Sequence, residues 1–192
     1  MGTAASILST PDSTLTQTFA LNILAHFRLV RAFLPHMIAT NHGMIVTLAS
    51  LSAYITPPLM VPYACTKAAA LAFHEGLGVE LKTHYEAPGV KTLCVCPGWA
   101  RTRLSEGHVN TDRWFSPTLS AETVAEAVVG EVLRGRGGVV VLPRVHEWVG
   151  ACVRGWPWWA QEGVRMMAGE AVRGIGGREL GKGEGRGVRG QG

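Results

Sequence analysis

The chain has 192 residues, enough for one domain with a buried core, and its 47% hydrophobic and 17% charged content excludes disorder over most of its length. Its formal net charge of +4 does not single out nucleic acid, because the basic excess lies in a Gly/Arg-rich tail rather than on a foldable face. Four cysteines without a CxxC pair, a small polar stretch over Met1–Ser13 and the lack of an uninterrupted apolar run of about 18 residues predict an intracellular, cytoplasmic chain without signal peptide or membrane span.

Ser13 or Thr14 is placed to cap a first helix. Its apolar positions Leu15, Phe19, Leu21, Ile23, Leu24, Phe27, Val30 and Phe33 fall mainly at spacings of three and four, which predicts a mostly buried helix that Pro35 bends or shortens. After the turn Asn41-His42-Gly43, the run Met44–Ala49 reads as a buried strand. An Ala- and Leu-rich pattern from Val61 to His84 predicts a long helix, closed by Pro88-Gly89. Val90–Cys96 and Val139–Leu142 read as further strands, and Ser120 can cap a helix between them with Val124, Val128 and Val132 on one stripe. Cys94 and Cys96 fall in an apolar run, where a buried thiol is the usual state. Strands alternating with helices predict an α/β fold, a Rossmann-like parallel sheet covered on both faces. From Gly174 to Gly192 glycine alternates with charge and offers little to bury, so the folded part is expected to be residues 1–173 and the remainder a disordered tail.

Tyr63-Ala-Cys-Thr-Lys67 places a phenol and an ammonium one helical turn apart, on one face near a helix start. An adjacent cation stabilises a phenolate, which is how a phenol becomes useful in proton transfer near neutral pH. Ser50 closes the first strand, where the carboxyl end of a parallel strand faces the usual ligand crevice; taken by itself, a serine there is more often a strand-end turn residue. Asn22 lies mid-helix among apolar residues, a place where an amide needs a specific partner, functional or local.

Taken in order, Asn22 in Phe19–Phe27, Gly43–Ser50 ending on a serine, Tyr63 with Lys67, and Pro97-Gly98-Trp99-Ala100-Arg101-Thr102 resemble the short-chain dehydrogenase/reductase family, whose active site is Asn, Ser, Tyr and Lys in that sequence. The stretches AHF, AFLPHM, NHG and VKTLCVCPG look most like its retinol and 17β-hydroxysteroid dehydrogenase branch. The resemblance runs from about Ser9 to Pro143. It implies catalytic roles for Asn22, Ser50, Tyr63 and Lys67, with Tyr63, Lys67, Pro97, Gly98, Ala100 and Thr102 contacting NAD or NADP, and no metal. A lipophilic alcohol or ketone is the implied substrate, and a homodimer through the helices near residues 15–37 and 61–84 the implied assembly. The family's TGxxxGxG turn and NNAG motif have no counterpart here. The resemblance therefore implies a sheet lacking its N-terminal half and an impaired enzyme, or a non-catalytic remnant that serves as an interaction module. Residues 145–168, with Trp148, Trp156, Trp158 and Trp159 among arginines, are expected to form a substrate-side segment. They could also contact a membrane or lipid-droplet surface peripherally, although Pro157 argues against one continuous helix there.

Overall fold

A computed structural model describes residues 5–100 and 118–176. The element order is α1 (Asp12–Phe19), a π-helical turn (Ala20–Leu24), α2 (Ala25–Thr40), β1 (Gly43–Leu48), α3 (Val61–Thr83), β2 (Val90–Pro97), α4 (Ala121–Leu133), β3 (Gly138–Leu142), α5 (Glu147–Val153) and α6 (Trp158–Gly176). The three strands form one parallel sheet in the order β1-β2-β3, with Thr47 beside Cys94 and Cys94 beside Val139. The fold is α/β, as the alternation of elements requires, because parallel neighbours need a crossover and helices supply it.

Side-chain alternation along β2 sets the two layers. Cys94 and Cys96 face α3 and join a core of Ile23, Ala49, Ala70, Leu71 and Val141. Leu93 and Val95 face the other way and pack with Val140, Leu142 and α4. The expected covering of both faces holds for β2 and β3 but not for β1. Val46 and Leu48 share the α4 side of the sheet, yet α4 lies over β2 and β3, and they stay 40% and 49% exposed. Within the described residues β1 is an edge strand.

Three local expectations are corrected. The first helix begins at Asp12, with Pro11 at the cap position, so Ser13 and Thr14 lie in its first turn. Pro35 does not shorten α2, which continues to Thr40; Leu34 beside it is buried with Leu77, Leu81 and Val90, and this packing holds the turn despite the lost hydrogen bond. The helix is not mostly buried either. One face meets α3 and hides Thr18, Asn22, Ile23 and Leu34, while Leu21, Leu24 and Phe33 are exposed and Phe27, although its ring meets Phe73 of α3, is half exposed. Periodicity gives the apolar stripe, not what covers it.

The turn after α2 forms as its sequence suggests. Asn41 adopts a left-handed conformation and Gly43 has φ 148°. Ser120 caps α4, accepting from the Thr123 N–H at 3.1 Å. Near the end of α4, the buried Glu131 carboxylate draws in Arg134, Arg136 and Arg144 within 3.3 Å, fastening the helix to the segment after β3. The Trp-rich segment is two helices rather than one, parted at Trp156-Pro157, and α6 runs three residues past the expected end at 173. The rest of the tail lies outside the described residues.

Candidate active site

The site assembles where β1 ends and α3 begins. Ser50 follows β1 in extended conformation and caps a short 3-10 turn, accepting from the Ser52 N–H at 3.1 Å while its own hydroxyl donates to the Pro97 carbonyl at 3.3 Å. Both bonds fix the hydroxyl at the carboxyl ends of β1 and β2. Tyr63 sits in the first turn of α3, behind Pro62, whose missing N–H costs nothing at a helix start. Its hydroxyl hydrogen-bonds the Ser50 side chain. Lys67, one turn on, reaches back so that Nζ donates to the Leu48 carbonyl at 2.8 Å and lies 5.6 Å from the Tyr63 ring centre. Residues separated by up to seventeen positions thus converge on one strand-end crevice.

Asn22 occupies the π-helical turn and is buried. A π turn widens the helix by one residue, a feature frequent at functional sites, and here it turns the amide toward α3. Asn22 Nδ2 donates to Thr66 Oγ1 at 3.1 Å, and Thr66 Oγ1 donates to the Tyr63 carbonyl at 2.7 Å. Asn22 is therefore coupled to the helix that carries Tyr63 and Lys67 through Thr66, to which the sequence motifs assign no role. The signal was available: Thr66 lies on α3 between the two and is fully buried, and a hydroxyl buried mid-helix needs a partner.

Electrostatics departs from the simple picture of a lysine lowering a phenol. Burial raises the Tyr63 pKa above its ordinary value of 10.0, with the Ser50 hydrogen bond opposing it. Burial lowers Lys67, and the nearby Cys94 and Cys96 thiols oppose that shift. At Tyr63 desolvation outweighs the Ser50 hydrogen bond, so at neutral pH the phenol keeps its proton.

Of the expected cofactor contacts, Pro97 accepts from Ser50, and the Gly98 N–H donates to the Leu142 carbonyl at 2.7 Å, tying the loop to β3. Ala100 pairs with Leu119 in a single parallel bridge. Thr102 lies outside the described residues.

The model of the short chain dehydrogenase family matches residues 1–113. The chain is 37% identical over 137 residues to 17-beta-hydroxysteroid dehydrogenase 13 of Homo sapiens, a match covering 71% of this chain and 44% of that protein. It is 37% identical over 127 residues to human estradiol 17-beta-dehydrogenase 11, covering 66% and 41%. The chain thus spans less than half the length of these relatives. Among solved structures, a short-chain dehydrogenase from Sphingobium yanoikuyae in complex with NADPH superposes with a TM-score of 0.67 at 21% identity, over 88% of this chain and 61% of that one. One from Burkholderia cenocepacia in complex with NADP gives 0.63 at 24% identity, over 80% and 60%. These two likenesses establish the fold.

Proposed function

Since the chain belongs to the short-chain dehydrogenase family, we propose that it is the catalytic portion of an NAD(P)-dependent oxidoreductase acting on a lipophilic alcohol or ketone of steroid or retinoid type. The observation that carries this reading is the contact between the Ser50 and Tyr63 hydroxyls at the end of β1, with Lys67 one turn along α3. These groups fit the nicotinamide-ribose end of a dinucleotide: an ammonium and two hydroxyls share one crevice at strand carboxyl ends. No TGxxxGxG turn occurs in the 192 residues to hold a pyrophosphate.

When bound, the nicotinamide supplies the hydride acceptor or donor. Ser50 Oγ would turn its one hydrogen from the Pro97 carbonyl to the substrate oxygen and fix it beside Tyr63 Oη, which gives or takes the hydroxyl proton. A phenol kept protonated by burial is matched to donating, hence to ketone reduction. Oxidation needs a phenolate, and Lys67 would favour it by releasing the Leu48 carbonyl and moving toward the phenol and the ribose. Asn22 would hold a water in the path from Lys67 to solvent. Pro97, Gly98, Ala100 and Thr102 would line the nicotinamide and its phosphate.

Orientation of the reacting groups supplies on the order of 7 kcal/mol or more of a typical barrier reduction, and half a dinucleotide site cannot provide it. The test compares the 192-residue chain alone with the same chain joined behind the nucleotide-binding half of a relative, following NAD(P)H absorbance with steroids, retinol and secondary alcohols. Turnover is expected only in the joined protein and lost on Tyr63→Phe. A joined protein that binds cofactor yet turns over none of these substrates would overturn the reading.

A second reading, an interaction module, is favoured by the exposed helix faces. A cleft of about 310 Å³ runs between α2 and α3, lined by Phe27, Val30, Phe73 and Leu77 with Arg31 and Glu80 beside them. The opposite charges on either side make it self-complementary, so it suits a homodimer. Peripheral membrane contact is supported by α6, whose exposed Trp158, Trp159, Met166 and Met167 form one broad face, Arg165 standing 5.0 Å from the Trp158 ring. Among the described residues no helix is long and apolar enough to cross a membrane.

A further inference from the structure

Two buried nucleophiles take no part in this chemistry. Cys94 and Cys96 stand two residues apart on β2, so both leave the strand on the face that carries α3, and their Sγ atoms lie 3.8 Å apart. Both are fully buried and neither is in a disulfide. Their surroundings differ. The Cys94 thiol hydrogen-bonds to Cys96 and is the largest influence on it; burial opposes, while the Tyr54 hydroxyl, the Ser50 backbone N–H and the Lys67 charge add to the pull, leaving the Cys96 thiol below its ordinary range. Cys94 is held above that range, first by the same hydrogen bond and then by burial. Donors around a sulfur and a cation beside it favour its thiolate over its thiol.

We propose that Cys94 and Cys96 are an oxidisable dithiol beneath the active site, in which Cys96 attacks a hydroperoxide and Cys94 resolves the product to an intrastrand disulfide. In the first step the Cys96 thiolate attacks the terminal peroxide oxygen, the O–O bond breaks, and the leaving oxygen takes a proton to depart as water or an alcohol. Cys96 is then a sulfenic acid. In the second step the Cys94 sulfur attacks Cys96 Sγ, the S–O bond breaks, and the hydroxide leaves as water with the Cys94 proton. The dithiol gives up two electrons and the hydroperoxide gains them.

The spacing makes this reversible. Two residues of strand advance about 6.4–6.8 Å, the upper end of the Cα separations a disulfide bridges. Closure therefore bends β2 without dismantling it, and a strained bridge is readily reduced again. The bend falls directly before Pro97, whose carbonyl accepts from Ser50, so oxidation draws Ser50 away from Tyr63. That consequence rests on the dehydrogenase reading; the thiol chemistry does not.

The experiment uses the full 192-residue chain with Cys65→Ser and Cys152→Ser, which removes the two exposed thiols and leaves the core intact. Hydrogen peroxide is added, remaining thiols are alkylated, and the protein is digested with trypsin. Cys94 and Cys96 fall in one tryptic peptide, Thr92–Arg101, which has no other cysteine. The expected product is this peptide two hydrogens lighter and unalkylated, returning to double alkylation after dithiothreitol. Adding Cys94→Ser should leave Cys96 as a sulfenic acid that dimedone captures. Recovery of a doubly alkylated peptide after peroxide overturns the proposal, and dimedone capture at Cys94 in place of Cys96 overturns the assignment of the attacking thiol. The mass readout needs no turnover, so it stands or fails apart from the dehydrogenase reading.

Discussion

Among single residues, Thr66 carries more of the site than its side chain suggests, because one hydroxyl serves both Asn22 and the Tyr63 carbonyl. Thr66→Val keeps the shape and removes the hydroxyl that accepts from Asn22 Nδ2 and donates to the Tyr63 carbonyl. The expected cost is about 1–3 kcal/mol in urea denaturation, with Asn22→Leu in the same background recovering part of it. Two histidines give a second residue-scale prediction. Burial lowers His26, with Lys67 adding to the effect, and burial lowers His74 against Glu75, both from an ordinary value of 6.5. Their buried Nδ1 atoms have no hydrogen-bond partner. The unfolded chain therefore binds protons that the folded chain resists, so stability is complete above pH 6.5 and falls as pH drops through that value toward the lowered folded ones. Urea midpoints at pH 8 and pH 5.5 should differ in that direction, and His74→Gln should narrow the gap. Identical midpoints would remove the argument.

For whole elements, the joints between helix and strand depend on close backbone approaches. Asn41 ends α2 in a left-handed conformation and accepts the Gly89 N–H on Oδ1 at 2.7 Å, linking the start of β1 to the start of β2. A Cβ on Gly89 would collide with the Asn41 carbonyl oxygen. Gly89→Ala should cost about 1–3 kcal/mol, the range for overpacking, measurable as a lowered urea midpoint, whereas Gly76→Ala on α3, with open space around it, should be neutral or mildly stabilising. Both elements were legible in the sequence, since Pro88-Gly89 and Asn41-His42-Gly43 are turn signals. Their mutual contact was not, because the two turns are 48 residues apart and only the parallel register brings them together.

Across the whole molecule, a three-stranded sheet with Val46 and Leu48 uncovered and a helix layer exposing Phe27 and Phe33 leaves apolar surface without a partner among the described residues. Such surface invites association. If the cleft between α2 and α3 joins two copies, light scattering should give a concentration-dependent dimer, and Phe27→Glu should shift it to monomer while leaving the circular dichroism unchanged. A dimer indifferent to that change would place the interface elsewhere, with the free edge of β1 the next surface to test.

The sequence alone determined the element types and the order of the motifs, because both depend on local spacing: the long helix over Val61–Thr83, the apolar strands, Tyr63 and Lys67 one turn apart, and the Ser120 cap. Tertiary structure decided what those elements meet. It set the Ser50 hydroxyl against Tyr63, tied Asn22 to Thr66 and placed Cys96 among three donors. It also let burial outweigh the Ser50 hydrogen bond at Tyr63 and left half of an apolar helix in solvent. Periodicity shows that a face is apolar and a motif shows which groups travel together. Desolvation and hydrogen-bond partnership, by contrast, depend on atoms distant in the chain, and only the packed fold fixes where those atoms stand.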